Sequence, residues 1–265
     1  MQGLERLKRK VVGKIGERIF RGTDELFERA SRIETDALPD RDTFAWTARL
    51  ERDWLDIQRE ADELLAHRSL LPTFQEISRD QTRISPDDRW RVFFLYGFGM
   101  RSELGCALCP ETAAVLDRIP DLETAFFSVL APGKHVPRHR GVSRAYVRCH
   151  LGLRVPAAAE QCRMEVDGRE VHWREGETVL FDDTRPHEVW NDTDEERVVL
   201  LIDVRRPMSP RARALLGGMR AVFLRSRYIR EAIGNQRRWE ATRGRSLARA
   251  VRHPRQGGGP TPILG

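Results

Sequence analysis

No window of these 265 residues approaches about 18 uninterrupted apolar positions, so the sequence encodes no membrane-spanning helix. The first residues also lack the apolar centre and small-residue cleavage site of a secretory signal, which makes the cytoplasm the expected compartment. Cysteine is scarce. Cys106, Cys109, Cys149 and Cys162 are too few and too scattered for a disulfide framework in a chain of this length. The pair Cys106-Ala-Leu-Cys109 has metal spacing, but a zinc ribbon needs a second pair and a thioredoxin-like site needs a βαβ context. Two buried thiols ahead of a helix starting near Pro110 are expected instead. No repeat occurs at solenoid periods.

The formal net charge of +6 conceals an asymmetry. Residues 1–21 carry seven Lys or Arg against two Glu, and residues 205–265 carry fifteen Arg against two Glu, leaving the middle at −12. An acidic body thus has two basic ends, suited to anionic lipid, nucleic acid, an acidic partner or simple solvation. At the first end, Leu4, Leu7, Val11, Ile15 and Ile19 recur at spacings of three and four between basic residues, the pattern of a basic amphipathic helix. It suits an anionic membrane surface or docking on the body. Nucleic acid fits less well, since no aromatic-studded basic sheet or reading helix accompanies the charge.

Trp46, Leu50, Trp54, Ile57, Ala61 and Leu64 predict a second helix, packed on the core. From about residue 90 the period changes. RVFFLYGF, AFFSVLAP, AYVRCHLGLRVP, CRMEVDG, EVHWR, TVLFDD, HEVWND and RVVLLIDVRRP are short β-rich runs ended by Pro, Gly, Asp or Asn. Strands without intervening helices predict an antiparallel barrel or double sheet, and Asp167-Gly168 predicts a tight hairpin turn. The chain divides into a helical segment over 1–89, a mainly β domain over 90–207, and an Arg-rich helical segment with a tail over 208–265. In that last segment Leu215, Met219, Val222 and Phe223 form the expected apolar side, and RQGGGPTPILG is too poor in apolar residues to stay ordered.

Histidine is also sparse, at seven, yet residues 135–153 hold three beside four arginines. Alternation along AYVRCHLGL places Tyr146, Arg148 and His150 on one face and Val147, Cys149, Leu151 and Leu153 on the other. A buried Arg and His require anionic or acceptor partners, so something acidic is expected inside. Further on, His187 opens another strand after EGETVLFDDTRP; Asp182 and Asp183 could offer a carboxylate to a metal, but a turn before the strand is the expected use of such a pair. His135 is expected to be a surface strand residue, His172 a barrel residue that pairs locally, and His67 and His253 are expected to be solvated.

His139-x-Gly141, followed 46 residues later by His187, resembles the paired histidines of double-stranded β-helix oxygenases, with Gly141 where a carboxylate ligand commonly stands. With Phe127-Ser128-Val129, Pro132-Gly133, Arg148-Cys149-His150-Leu151-Gly152-Leu153, Trp173, Gly176-Glu177, Phe181-Asp182-Asp183, His187-Glu188-Val189-Trp190, Arg197, Asp203-Val204 and Arg206-Pro207, the stretch from about Trp90 to Pro207 resembles the aspartyl/asparaginyl β-hydroxylase family, which includes bacterial lipid acyl 2-hydroxylases. The resemblance implies a mainly β fold with helical flanks, its core a jelly-roll or cupin-like double-stranded β-helix. It implies Fe(II) held by His139 and His187, with 2-oxoglutarate and dioxygen as co-substrates. Ser128 and Arg197 would grip the distal carboxylate of 2-oxoglutarate, and Arg148 and His150 would face the reacting centre, Arg148 with a catalytic part. Protein-hydroxylating relatives are expected to carry a further basic residue two positions before Arg148, where this chain has Tyr146.

The expected function is therefore hydroxylation of an unactivated C–H bond in a lipid acyl chain or an aspartyl/asparaginyl-type substrate, with residues 1–21 free to rest on the inner face of an anionic membrane. Two alternatives stand beside it: a non-redox zinc or nickel enzyme of cupin type, which would leave Ser128 and Arg197 idle, and a basic binding module without catalysis.

Overall fold

The computed structural model describes residues 22–158 and 160–253; the basic start over 1–21 and the tail over 255–265 lie outside the described residues. The described chain opens in helix over residues 22–30 (α1). Five more helices follow within the next ninety positions or so: α2 (Thr47–Arg52), α3 (Trp54–Leu65), α4 (Phe74–Ile77), α5 (Glu103–Leu108) and, directly after it, α6 (Pro110–Leu116). Cys106 and Cys109 are buried free thiols at the junction of α5 and α6, where Pro110 starts the helix.

Among the described residues ten strands form two antiparallel sheets. The larger has the order β2-β1-β3-β10-β5-β8, built from β1 (Trp90–Gly97), β2 (Met100–Arg101), β3 (Leu122–Leu130), β5 (Tyr146–Arg154), β8 (Thr178–Phe181) and β10 (Arg197–Arg205). The smaller has the order β4-β9-β6-β7, from β4 (Lys134–His139), β6 (Cys162–Val166), β7 (Arg169–His172) and β9 (His187–Asn191). The β6–β7 hairpin turns at Asp167 and Gly168, both at positive φ (52° and 80°) as Asp-Gly permits. Two facing antiparallel sheets with helical flanks make the mainly β, jelly-roll class of fold.

β10 reads as an almost unbroken apolar run because both of its faces are buried. Val198, Leu200 and Ile202 share one core with Val147, Cys149 and Leu151 of β5 and with Ile57, Ala61 and Leu64 of α3. The opposite face of the sheet turns toward the smaller sheet and carries the polar residues discussed below. β6 and β9 alternate strictly, with Met164, Val166, His187 and Val189 inside and Arg163, Glu165, Glu188 and Trp190 half-exposed.

The helix predicted over Trp46–Leu64 is broken at Asp53 (φ −94°, ψ 12°). The break lets α2 reach β8, where Glu51 Oε1 accepts from the Thr178 amide (2.9 Å) and hydroxyl (2.6 Å), while α3 lies over β5. After Pro207 come α7 (Pro210–Leu224), α8 (Arg227–Trp239) and α9 (Arg245–Arg252). Trp239 and Leu247 join the main core. The apolar side predicted for α7 splits in two: Ala212 and Leu216, with Met219 beside them, pack on Phe27 of α1 and on Ala145, whereas Leu215 and Val222 face outward. Among the described residues no helix is long and apolar enough to cross a membrane.

Candidate active site

A β-bulge decides which histidine enters the interior. Val136 lies opposite Val189, so regular pairing would set Arg138 opposite His187; the register slips by one residue between Val136 and His139, and His139 takes that place. Pro137, which cannot donate to a ladder, sits in the slip. The two imidazoles lie side by side with ring centroids 4.1 Å apart. Each donates Nδ1–H to a main-chain carbonyl, His139 to Pro137 (2.9 Å) and His187 to Arg185 (3.0 Å). A carbonyl can only accept, so the proton of each neutral ring is on Nδ1 and Nε2 keeps its lone pair. Burial, chiefly, lowers the pKa of His139 to about 4 and of His187 to about 3, the second helped by the first, so both rings are neutral at physiological pH.

His150 has the opposite tautomer. The Trp173 indole, which can only donate, gives its Nε1–H to His150 Nδ1 at 3.2 Å. The ring proton therefore lies on Nε2, which is buried with no hydrogen-bond partner among the described residues. Burial, then the nearby Arg197 and Arg148 cations, hold His150 well below the usual imidazole range. Phe181 packs edge-on against both His150 (5.0 Å) and His187 (5.5 Å), linking the two sheets.

Arg197 is the second unsatisfied donor. Its guanidinium lies 4.7 Å from the centre of the Trp173 ring, and Nε and Nη1 are buried with no partner among the described residues. Burial drops its pKa to about 10. Arg197 pairs with Leu130 and Val199 with Ser128, so Arg197 and Ser128 are diagonal neighbours on the inner face. The Ser128 oxygen accepts from Trp90 Nε1 (3.0 Å), which leaves its hydroxyl proton to give. Farther along the same face, Arg148 lies opposite Asp203 and donates to both of its oxygens (2.7 and 3.1 Å), with Asp183 3.1 Å away. Burial opposes the Arg148 cation, but Asp203 and Asp183 outweigh it and keep its pKa above the ordinary value. These are the acidic partners that the sequence led one to expect.

Asp182 and Asp183 do more than turn the chain. Asp182 accepts from Thr184, as a turn residue does, but it also forms a fully buried ion pair with Arg206 (3.1 Å). Asp183 points back at Gly141: its carbonyl accepts from the Gly141 amide (2.7 Å), and a Cβ at position 141 would come within 2.2 Å of its carboxyl group. The space that a side chain at position 141 would need is thus filled by the Asp183 carboxyl, whose pKa burial raises to about 6 against the pull of Arg148. Gly141→Asp should accordingly clash with Asp183 and lower the Tm; an unchanged Tm in that variant would refute the packing argument.

The structure therefore brings His139, His187, Arg148, Ser128, His150 and Arg197 to one interior. Asp183, expected from sequence in a turn, joins them with Asp203, Trp90 and Trp173, which had no role assigned from sequence, although all but Trp90 lie in quoted motif stretches. Among the described residues no cluster of three or more His, Cys, Asp or Glu is placed to hold a metal. His135 and His172 stay outside, paired with Glu188 (2.6 Å) and Glu170 (2.8 Å).

Residues 51–207 match the model of the aspartyl/asparaginyl β-hydroxylase family. The chain is 43% identical over 198 residues to an ornithine lipid ester-linked acyl 2-hydroxylase of Rhizobium tropici, covering 75% of this chain and 70% of that one. It is 30% identical over 175 residues to human aspartyl/asparaginyl β-hydroxylase, covering 63% of this chain but only 22% of the human protein. A cupin 2 conserved barrel domain protein from Salinispora arenicola superposes with a TM-score of 0.30 at 16% identity, over 47% of this chain and 83% of that one. The family match begins in α2 and runs through both sheets and every residue of the interior site, and the chain belongs to the aspartyl/asparaginyl β-hydroxylase family.

Proposed function

We propose that this protein is an Fe(II)- and 2-oxoglutarate-dependent dioxygenase that hydroxylates a lipid acyl chain. The observation that carries the reading is the sorting of three interior histidines, His150 and His187 buried and His139 half-buried, into two tautomers beside an arginine unpaired among the described residues. Two rings present lone pairs, one presents a proton, and Arg197 presents a buried fork with no counter-ion. Lone pairs suit a first-row cation and buried orphan donors suit carboxylates, so the residues fit the pair of groups.

His139 and His187 would hold the iron. Ser128 and Arg197 would bind the distal carboxylate of 2-oxoglutarate, and His150 Nε2–H would donate to an oxygen of its keto-acid end. When bound, iron and 2-oxoglutarate supply the activation of dioxygen: one oxygen atom enters the C–H bond and the other leaves in succinate, with release of carbon dioxide. Trp173 positions two of these groups at once, fixing the His150 tautomer and flooring the Arg197 guanidinium. Arg148, held by Asp203 and Asp183, keeps a fixed positive charge beside the histidine pair and orients anionic oxygens there.

Two neutral imidazoles leave the full charge of Fe(II) uncompensated by a protein ligand. Iron is therefore expected to bind weakly alone and tightly with 2-oxoglutarate. Equal affinity in the two cases, by anaerobic titration, would contradict the assignment. A lipid rather than a peptide substrate is favoured by the coverage of 70% of the Rhizobium tropici relative and by Tyr146, which provides no cation for an acidic side chain. The experiment is anaerobic reconstitution with Fe(II) and 2-oxoglutarate followed by oxygen. Succinate formed in step with a lipid species one oxygen heavier supports the reading; succinate coupled to an Asp- or Asn-containing peptide would replace the substrate, and turnover without 2-oxoglutarate would remove the class.

A further inference from the structure

α7 is amphipathic in an unusual sense, because its outward side is the more interesting one. Arg211, Leu215, Gly218, Val222 and Arg225 follow one another at spacings of four, three, four and three, and so form one stripe along the helix. All five are exposed, with Leu215 at 43% and Val222 at 72%. Leu215 does not stand alone: together with Leu26 of α1, itself 47% exposed, it lines a groove of about 700 Å³ between the two helices, bordered by Arg211 and by the Arg29–Glu25 ion pair (3.7 Å). α1 in turn holds the loop after β4, through Asp24, which accepts from the Arg144 amide (2.9 Å), and through the Glu28–Arg144 ion pair. That loop carries exposed Val142, three residues beyond His139.

Along α7 and its flanks the charge has one sign, while on α1 the exposed Glu25 offsets Arg29. From Arg205 to Arg230 the sequence contains eight arginines and no Asp or Glu. Arg205, Arg206, Arg213 and Arg220 are spent on carboxylates of the body, whereas Arg211 and Arg225, at the two ends of the outward stripe, have no acidic partner among the described residues. Small apolar side chains between unpaired arginines describe a helix that settles into a headgroup layer, its cations meeting phosphates while Leu and Val enter the acyl boundary.

We propose that the outward stripe of α7, with Leu26 of α1, is the surface on which the enzyme rests on an anionic bilayer. The occupant rests on the lipid acyl reading above, since a substrate held in a membrane requires the site's rim to approach it. The face borders the loop that joins His139 to Arg148.

The test uses the full chain and vesicles of phosphatidylcholine, with or without phosphatidylglycerol, in sedimentation. The wild-type protein is expected on the anionic vesicles and not on the neutral ones. Leu215→Glu with Val222→Glu should lower the anionic partition roughly tenfold or more. Arg211→Gln with Arg225→Gln should lower it roughly 30-fold, each basic group near the surface counting about fivefold. Residues 1–21 are intact in both variants, so any loss belongs to α7. Exposed positions leave the fold in place, checked by an unchanged Tm. Unchanged partition in both variants, absence of wild-type binding to anionic vesicles, or a wild-type dimer that the Glu variant dissociates would each overturn the proposal, the last by giving the face to a second copy. Vesicle binding needs neither iron nor 2-oxoglutarate. Failure of the oxygenase reading therefore appears as missing succinate with binding intact, and failure of the surface as the reverse.

Discussion

Arg197→Met should make the ligand-free protein more stable and abolish its response to 2-oxoglutarate. The wild-type guanidinium is buried over Trp173, with two nitrogens unpaired and no carboxylate beside it, and its lowered pKa of about 10 records the cost of that burial. An unpaired buried ion costs several kcal/mol, and an apolar side chain of similar length often recovers about 1–4 kcal/mol. The apoprotein Tm is expected to rise by several degrees. In the same variant the distal carboxylate would enter a pocket without its cation, a loss of about 2–5 kcal/mol, or roughly 30- to several-thousand-fold in affinity. Thermal shift with and without 2-oxoglutarate reads both effects at once. A Tm that falls, or a ligand-induced shift that survives, would show that Arg197 is an ordinary structural residue.

His187→Ala is expected to reduce hydroxylation to background and, separately, to soften the acid sensitivity of the apoprotein. His187 is neutral in the fold down to a pKa of about 3, while in the unfolded chain it protonates near 6.5. As pH falls through that window the unfolded state takes up a proton that the folded state refuses, so stability declines steadily on acidification and recovers above about 6.5. The loss reaches about 2–3 kcal/mol by pH 4 from this residue, with His139 adding to it from its own lowered pKa of about 4. Asp183 acts in the opposite direction. Its raised pKa of about 6 makes the fold hold a proton that the unfolded chain has released, so its own contribution falls as pH rises from about 4 to 6. Denaturant midpoints between pH 4 and 7 should show a shallower slope in the variant. Substrate-dependent succinate formation retained by His187→Ala would end the ligand assignment.

Much of the site was legible because strand alternation is local. AYVRCHLGL already separates Arg148 and His150 from the apolar face, and in the structure Val147, Cys149 and Leu151 do lie in the core behind them. The demand for acid near a buried Arg and His was likewise readable, but not its source. Asp203 reaches Arg148 from the adjacent strand 55 positions later, and strand pairing is a fact of register. Asp183 was assigned to a turn for a different reason: an Asp-Asp pair before a strand has the local chemistry of a turn, and only the approach of the Gly141 backbone turns it into part of the site. On α7, periodicity marked four apolar residues, while the position of α1 selects Ala212 and Leu216 for burial and leaves Leu215 and Val222 outside.

By itself the sequence determined the period-2 runs, the mainly β class, the basic ends and the residue types able to bind a cation and a dicarboxylate. Those follow from side-chain chemistry and from backbone geometry repeated over a few residues. Tertiary structure decided which face His139 occupies, which ring nitrogen each histidine presents, and that Arg197 has no counter-ion among the described residues. Alternation counted from Val136 would have turned His139 to solvent, beside His135. One extra residue at the Pro137 bulge reverses it, and a bulge is stabilised by the strand across from it rather than by the residues within it.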